Sequence, residues 1–328
     1  VEDAAFADLN GSGTLDSVLS SAEGRAQQLA IHQPRGPLLD ASSWQATELT
    51  PESPEMYMKA RAANLRLDSP DIAIVAGSRE GGDNEPGVFL FRRDAQGWQR
   101  ERIAEVDFKT TGLQFLDING DGLLDVLFAG RNEIAWLRNP GANGGTWTRQ
   151  TIAKDVSEFA VCDLDGDGRL DVIAGTSRHS DLVARWFRIS ADGDIPWESW
   201  PITTANGRPG GGKFVIKGVA CGDLDNDGRV ELAFTASGEG HGVFSMKHAG
   251  NPASSAHWSL RNHVGHMDGM KYDNIELADL DRDGDLDIIT SEEGAGVISP
   301  GLGVIWLENP TKARKATTQK SLAQMQKQ

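Results

Sequence analysis

Oxygen-bearing side chains recur at fixed positions of a nine-residue segment. In the clearest copy, residues 163–171, aspartates occupy positions 1, 3, 5 and 9, and glycine occupies position 6. Oxygens at alternating positions can converge on one cation, the glycine permits a sharp turn, and the carbonyl of position 7 can add a ligand. Because calcium accepts about six to eight oxygens in loose geometry, the pattern favours calcium over magnesium.

Four further copies begin at residues 8, 117, 223 and 279. Together the five segments predict about five calcium ions. The predicted ligands are the side chains at positions 1, 3, 5 and 9 of each copy: Asp8, Asn10, Ser12 and Asp16; Asp117, Asn119, Asp121 and Asp125; Asp163, Asp165, Asp167 and Asp171; Asp223, Asp225, Asp227 and Glu231; and Asp279, Asp281, Asp283 and Asp287.

The EF-hand shares the first positions of this pattern but needs a glutamate at position 12 and helices on both sides. The residues at position 12 carry no carboxylate. The flanks, such as residues 159–162 and 171–174, are short apolar or β-branched runs typical of strands. The position-12 residues are Leu19, Phe128, Ala174, Phe234 and Thr290.

An acidic loop that joins two strands and recurs along the chain resembles the FG-GAP repeat, also called the VCBS or integrin-α-like repeat. The resemblance covers nearly the whole chain, about residues 1–310. It implies a fold in which the calcium loops act as scaffold, and it says little about function.

The repeating units start near residues 8, 63, 117, 163, 223 and 279. The second start is inferred, because residues 63–71 keep only the last carboxylate, Asp71, and we expect that unit to have lost its metal. Each unit is interpreted as four strands, which predicts an all-β fold, a single β-propeller with the calcium loops between the first and second strands. Six blades are expected over residues 1–310, or seven if the N-terminus has been trimmed.

Tryptophans mark the fourth strand of five units, and we expect them to pack in the core or at the rim rather than stack on sugars. The last unit has no such tryptophan after residue 306. Residues 311–328 are polar and basic and are predicted to form a helix or a tail. The tryptophans are Trp44, Trp98, Trp147, Trp197 and Trp258.

The formal net charge is −16, and the five loops account for much of it. Bound calcium would offset this charge, and the chain lacks the basic footprint that nucleic-acid binding requires. No apolar run is long enough to span a membrane. Cys162 and Cys221 are expected to be free, buried thiols, since they precede their loops by different distances and would point opposite ways on equivalent strands. A calcium demand of this size indicates an extracellular or periplasmic location, that is, a secreted protein.

The direction of the strands places the connections between second and third strands at the end of the propeller opposite the calcium loops. Cationic and titratable residues collect there, with the richest group in the last two units. A central site at this end is the default ligand site. Predicted ligand-binding residues are Arg79, Arg131, Arg178, His179, Glu292 and Glu293; predicted catalytic residues, if the protein is an enzyme, are Glu239, His241, His266, Lys271 and Tyr272.

Three functions are open at this point. The first is a binding module whose central site takes a carbohydrate, a protein or another anionic ligand. The second is a carbohydrate lyase or dehydratase, in which Lys271 or Arg178 neutralises a substrate carboxylate, His241 or His266 is the base and Tyr272 is the acid. The third is a structural propeller that mediates protein assembly. No nucleophile elbow, phosphate loop or zinc-binding histidine pair is present.

Overall fold

The computed structural model describes residues 3–22, 28–49, 56–66, 71–78, 86–106, 109–130, 132–141, 145–176, 182–204, 214–238, 241–254, 258–264, 271–292 and 301–310. Within these ranges the chain is almost entirely β-structure, with one short 3₁₀ turn at Ala41–Ser43. No helix in the described part of the chain has the length and apolar character needed to span a membrane. The predicted helix or tail at 311–328 lies outside the described residues.

The described residues form 23 strands. They are β1 Asp3–Ala7, β2 Ser17–Ala22, β3 Gln28–Pro34, β4 Trp44–Glu48, β5 Tyr57–Asn64, β6 Ile72–Ser78, β7 Gly87–Asp94, β8 Gly97–Glu105, β9 Thr110–Leu116, β10 Asp125–Gly130, β11 Glu133–Arg138, β12 Thr148–Lys154, β13 Val156–Cys162, β14 Asp171–Thr176, β15 Leu182–Arg188, β16 Glu198–Thr203, β17 Phe214–Gly222, β18 Glu231–Gly238, β19 Gly242–His248, β20 Trp258–Val264, β21 Tyr272–Ala278, β22 Asp287–Glu292 and β23 Gly303–Leu307.

Consecutive strands pair into six antiparallel sheets, which are the blades of a β-propeller. Blades 1 to 5 contain four strands each, β1–β4, β5–β8, β9–β12, β13–β16 and β17–β20, and blade 6 contains β21–β23 among the described residues. The predicted all-β class and the count of six blades are therefore confirmed. In blades 1 and 3 to 6, an acidic loop joins the first strand to the second.

The apolar residues lie where neighbouring blades face each other. In one compact unit, residues 1–159 with 174–178 and 184–199, one buried cluster joins blades 1 and 2 and another joins blades 2 and 3. In the other unit, residues 160–173, 179–183 and 200–328, a buried cluster joins blades 5 and 6. Second strands such as β10 are buried throughout, because a strand packed on both faces needs apolar residues at every position.

The tryptophans lie at or just before the fourth strands, as predicted. Trp147, Trp197 and Trp258 are buried, and Trp98 packs against the cluster between blades 1 and 2. The indole N–H groups of Trp197 and Trp258 donate to the carbonyls of Gly193 and Pro252 in the preceding turns, over 3.2 and 3.1 Å. The interpretation as packing residues is confirmed for these four.

The expectation of free thiols is wrong, because Cys162 and Cys221 form a disulfide with their Cα atoms 6.4 Å apart. Cys162 ends β13 and Cys221 lies one residue before the end of β17, so the two side chains do leave opposite faces of equivalent strands. Neighbouring blades of a propeller pack face to face, and side chains on opposite faces of adjacent first strands therefore point toward each other. The direction of the side chains was predicted correctly, and the conclusion drawn from it was not.

In blade 2, β5 ends at Asn64 and β6 begins at Ile72. The Oδ1 atom of Asn64 accepts a hydrogen bond from the backbone N–H of Arg66 over 2.9 Å, so a short local turn opens this connection. Residues 67–70 lie outside the described residues, and the loss of metal from this blade stays a prediction.

Candidate metal loops and ligand site

The five acidic loops share one hydrogen-bond scaffold. In each, the position-1 aspartate accepts the backbone N–H groups of positions 5 and 6; for Asp163 these bonds come from Asp167 and Gly168, over 3.0 and 2.8 Å. The glycine at position 6 has φ between +82° and +92° in all five loops, where a side chain would be strained. The remaining position-1 bonds belong to Asp8, Asp117, Asp223 and Asp279.

The position-9 carboxylate closes the base of each loop. It accepts the backbone N–H of position 2 in every copy, for example Leu164 to Asp171 over 3.1 Å and Leu224 to Glu231 over 2.7 Å. In blades 3 to 6 this carboxylate is buried. Burial raises the pKa of Asp125 to about 6 and also raises the pKa of Glu231. A cation at the loop would favour the charged form of these buried groups.

Carboxylate oxygens converge within 4.8 Å of one another in three of the loops. These are Asp163, Asp165 and Asp171 in blade 4; Asp223, Asp225, Asp227 and Glu231 in blade 5; and Asp279, Asp281 and Asp283 in blade 6. The donor sets fit a hard divalent cation in these blades. The loops of blades 1 and 3 have amide or hydroxyl oxygens at some positions, and the Nδ2 of Asn119 donates to Asp121 over 2.9 Å. The expected total of five ions therefore stays a prediction.

Basic side chains from the third strands contact two of the loops, which the spacing of acidic residues did not predict. The Nζ atom of Lys247, on β19, lies 2.7 Å from the Oδ2 of Asp227 and 3.6 Å from the Oε1 of Glu231, and it also pairs with Asp225. Arg138 occupies the matching position of blade 3, with its Nη2 atom 3.7 Å from the Oδ2 of Asp121. Hydrogen bonds from Arg229 and Lys247 hold the pKa of Asp227 well below its usual range.

At the other end of blades 5 and 6, three charged side chains form an ion-pair cluster. Lys217 of β17 and Lys271, which precedes β21, lie 3.3 and 3.2 Å from the two carboxylate oxygens of Asp273. A β-bulge at residues 216–218 turns β17 here. Gly218 allows the two strands to approach, because a Cβ atom at this position would lie 2.8 Å from the carbonyl oxygen of Asp273.

Two of the predicted site residues meet behind this cluster. Tyr272 and Glu292 are cross-strand partners on β21 and β22, and both are buried. Burial, with a smaller contribution from the Glu292 charge, raises the pKa of Tyr272. Glu292 accepts backbone N–H groups of Leu302 and Lys271 over 2.6 and 3.4 Å, so its carboxylate holds chain segments of blade 6 together.

His241 is buried and directly precedes β19. It thus lies at the end of blade 5 where the third strand starts, the same end as Lys271. The other predicted residues of this end lie outside the described residues: Arg79, Arg131, Arg178, His179, Glu239, His266 and Glu293.

Two asparagines that the sequence analysis did not single out tie blades together. The Nδ2 atom of Asn139 donates to the carbonyls of Leu65 and Leu124, over 2.8 and 2.9 Å, and its backbone N–H donates to Asp125 over 2.7 Å. Asn309 repeats the arrangement with Leu224, Leu286 and Asp287. Each asparagine precedes a proline, and this dipeptide predicts only a turn. The local sequence does not indicate the distant carbonyl groups to which the side chain donates.

Comparison with known proteins agrees with this architecture. The model of the FG-GAP-like repeat matches residues 117–174 and 163–234. No match to a curated protein is found for the chain. A solved Agrocybe aegerita lectin, described by its specific recognition of non-reducing terminal N-acetylglucosamine, is similar with a TM-score of 0.53 and 14% identity, over 94% of this chain and 81% of the lectin.

Two further solved structures have lower scores. The C-terminal domain of Pseudomonas aeruginosa PilY1 matches with a TM-score of 0.43 and 11% identity, over 94% of this chain and 78% of that domain. The V. cholerae biofilm matrix protein Bap1 matches with a TM-score of 0.40 and 14% identity, over 92% of this chain and 51% of Bap1. The chain is thus a β-propeller that carries FG-GAP-like repeats across residues 117–234, as its acidic loops predicted.

Proposed function

We propose that this protein is a secreted, calcium-stabilised β-propeller that binds an anionic carbohydrate, or another anionic ligand, at the end of blades 5 and 6 opposite the acidic loops. The observation that carries the proposal is the cluster of Lys217, Asp273 and Lys271, in which two ammonium groups share one carboxylate. The cluster thus places two ammonium groups side by side on a chain whose net charge is −16. Its side chains are roughly one third exposed and can meet a ligand.

Calcium is the ion we assign to the loops. Asp163, Asp223 and Asp279 would hold it with their loop partners, and the ion would stabilise the folded chain by binding only that state. The disulfide between Cys162 and Cys221 supports an oxidising compartment, since disulfides persist mainly outside the cytosol. The lectin, whose likeness extends to the fold alone, supplies a reason to include N-acetylglucosamine among the ligands tested.

The lyase alternative has less support. Its assigned acid, Tyr272, is only 1% exposed, and its raised pKa makes it a poorer proton donor near neutral pH. Binding without turnover is therefore the function we propose.

The test is binding of glycans to the calcium-loaded protein by isothermal titration. A glucuronate-containing oligosaccharide is compared with a neutral oligosaccharide of equal length and with N-acetylglucosamine. We expect the anionic glycan to bind, and Lys217→Ala and Lys271→Ala each to weaken binding about tenfold, the effect of losing one charged hydrogen bond.

Lys59→Ala is the matched control, because Lys59 also pairs with an aspartate, Asp3, at 3.5 Å but belongs to blade 2. It should leave the affinity within about twofold. Equal binding of neutral and anionic glycans, or equal losses in all three variants, would contradict the proposed site. Unsaturated product absorbing in the ultraviolet would show turnover and restore the lyase.

A further inference from the structure

Blades 5 and 6 meet in the same way as blades 2 and 3. Asn309 and Asn139 make matching hydrogen bonds to the preceding blade and to their own loop. The registers also match, since Ile288 pairs with Leu307 in blade 6 as Val126 pairs with Leu137 in blade 3. The two interfaces can therefore be compared residue by residue.

The comparison shows one large difference. Between blades 2 and 3, the buried cluster includes Trp147, which precedes the fourth strand of blade 3. Between blades 5 and 6, a cavity of about 220 Å³ opens among Leu224, Ile288 and Leu307, the counterparts of Leu65, Val126 and Leu137 in that cluster. Residues 307–328 of the sequence contain no tryptophan.

The blade 5 side chains that line the cavity are also more polar than their counterparts in blade 2. Leu90 and Ile103 belong to the cluster that contains Trp147. Register pairing places Ser245 and His263 at the corresponding positions of blade 5, and both line the cavity. The Oγ atom of Ser245 lies 2.8 Å from the Nε2 of His263. A hydrogen-bonding pair, with Ser245 buried and His263 half-buried, thus replaces two aliphatic side chains.

This pair has spare accepting capacity. Burial lowers the pKa of His263 to about 4, which keeps the imidazole neutral near pH 7. When Ser245 donates to the Nε2 atom, the hydroxyl oxygen keeps lone pairs that can accept a bond from a guest. Aliphatic side chains of Leu224, Leu286, Ile288 and Leu307 form one part of the lining and favour an apolar ring, and the volume is below the roughly 300 Å³ typical of sites for drug-sized molecules. The rest of the lining is polar and includes the charged side chains of Asp225 and Glu231 from the acidic loop and of Lys247, Arg261 and Glu308.

We infer that the cavity between blades 5 and 6 is a binding site for a small planar aromatic group with one N–H or O–H donor, such as an indole or a phenol. The ring would lie where Trp147 lies between blades 2 and 3, and its donor would face Ser245. This site is at the acidic-loop end of the blades and is independent of the proposed anionic site.

The test uses indole, 1-methylindole and N-acetylglucosamine as probes of the calcium-loaded chain, with binding measured by saturation-transfer and chemical-shift NMR titration. Indole should bind, and 1-methylindole, which lacks the donor, should bind about fivefold more weakly, the effect of one neutral hydrogen bond. Binding of N-acetylglucosamine in competition with indole would overturn the assignment to an aromatic group.

Two variants locate the binding. Ser245→Ala should remove the preference for indole over 1-methylindole while retaining both ligands, and Ser245→Phe should fill the cavity and abolish both. Arg93→Ala, which removes an exposed arginine of blade 2, is the control and should change neither affinity. Retention of the indole preference in Ser245→Ala would contradict the inference, even if the larger variant failed to fold.

Discussion

Asn139 and Asn309 are single polar side chains that each hydrogen-bond two neighbouring blades together. Each satisfies two backbone carbonyls on different blades and fixes its own backbone to a position-9 carboxylate. Such groups are costly to leave unpaired when water is excluded. The side chain therefore acts as a staple between consecutive loops.

We expect Asn139→Ala to lower the free energy of unfolding by about 2–4 kcal/mol, because it leaves two carbonyls without their donor. Urea unfolding in excess calcium measures the change. Asn251→Ala, which removes an exposed turn bond to the backbone N–H of Ala253, should cost less than about 0.5 kcal/mol. Equal losses for both variants would show that the staple contributes no more than a surface turn.

His263 gives stability a defined pH dependence. Its folded pKa of about 4, lowered by burial and then by Arg261, is below the value of about 6.5 expected for the unfolded chain. The unfolded state thus binds the proton first as the pH falls. The stability from neutral His263 is complete above about pH 6.5 and is lost progressively toward pH 4.

His263→Ile, which copies Ile103 of blade 2, should remove this component. Melting temperatures of the two proteins, recorded from pH 7.5 to pH 4, should diverge as the wild type loses stability more steeply. The acidic loops titrate in both proteins and cancel in the difference. Parallel curves would mean that His263 titrates alike in the folded and unfolded states.

At the scale of elements, the strands and acidic loops were predictable, because their determinants are local. Alternation, β-branched runs and positive-φ glycines are all visible within a few residues. The contacts that modify the loops are not local. Lys247 lies 20 residues beyond Asp227, and only the register of β18 and β19 brings the two together.

The acidic loops also lead to a prediction about how calcium affects the melting temperature. Chelation of calcium should lower the melting temperature, and returning calcium should restore it more fully than magnesium. Asp165→Asn, which removes one charge from the blade 4 cluster, should reduce the calcium-induced shift while changing the melting temperature in chelator little. Asp192→Asn is the control, because Asp192 is exposed and bonds in a turn outside the acidic loops. Identical shifts in all three proteins would count against calcium at this loop.

At the scale of the molecule, the blade count followed from the repeats, whereas the disulfide did not. Predicting it required knowing that adjacent first strands present opposite faces to each other, which is a property of the assembled propeller. The ion-pair cluster at the ligand end was not predictable for the same reason, because its contacts also form only in the assembled propeller. Lys217 and Asp273 are 56 residues apart in the chain, and the bulge in β17 that orients Lys217 has no clear sequence marker.

Replacing both Cys162 and Cys221 with serine should lower the free energy of unfolding by about 2–4 kcal/mol, since the bond restricts the unfolded chain. Chemical denaturation in the presence of calcium measures this change in the free energy of unfolding. The wild type with its disulfide reduced provides a second comparison. The single variant Cys162→Ser should lose the same amount. An unchanged midpoint in the double variant would mean that the bond adds nothing to the folded state.

The disulfide also determines what a protease leaves behind. The bond encloses the chain from residue 163 to residue 220, which includes the second, third and fourth strands of blade 4. A single cut anywhere in that stretch yields two polypeptides that stay covalently joined, and they migrate as one species until a reductant is added. A nicked molecule would therefore keep its fragments together in an oxidising medium and release them only where thiols are abundant.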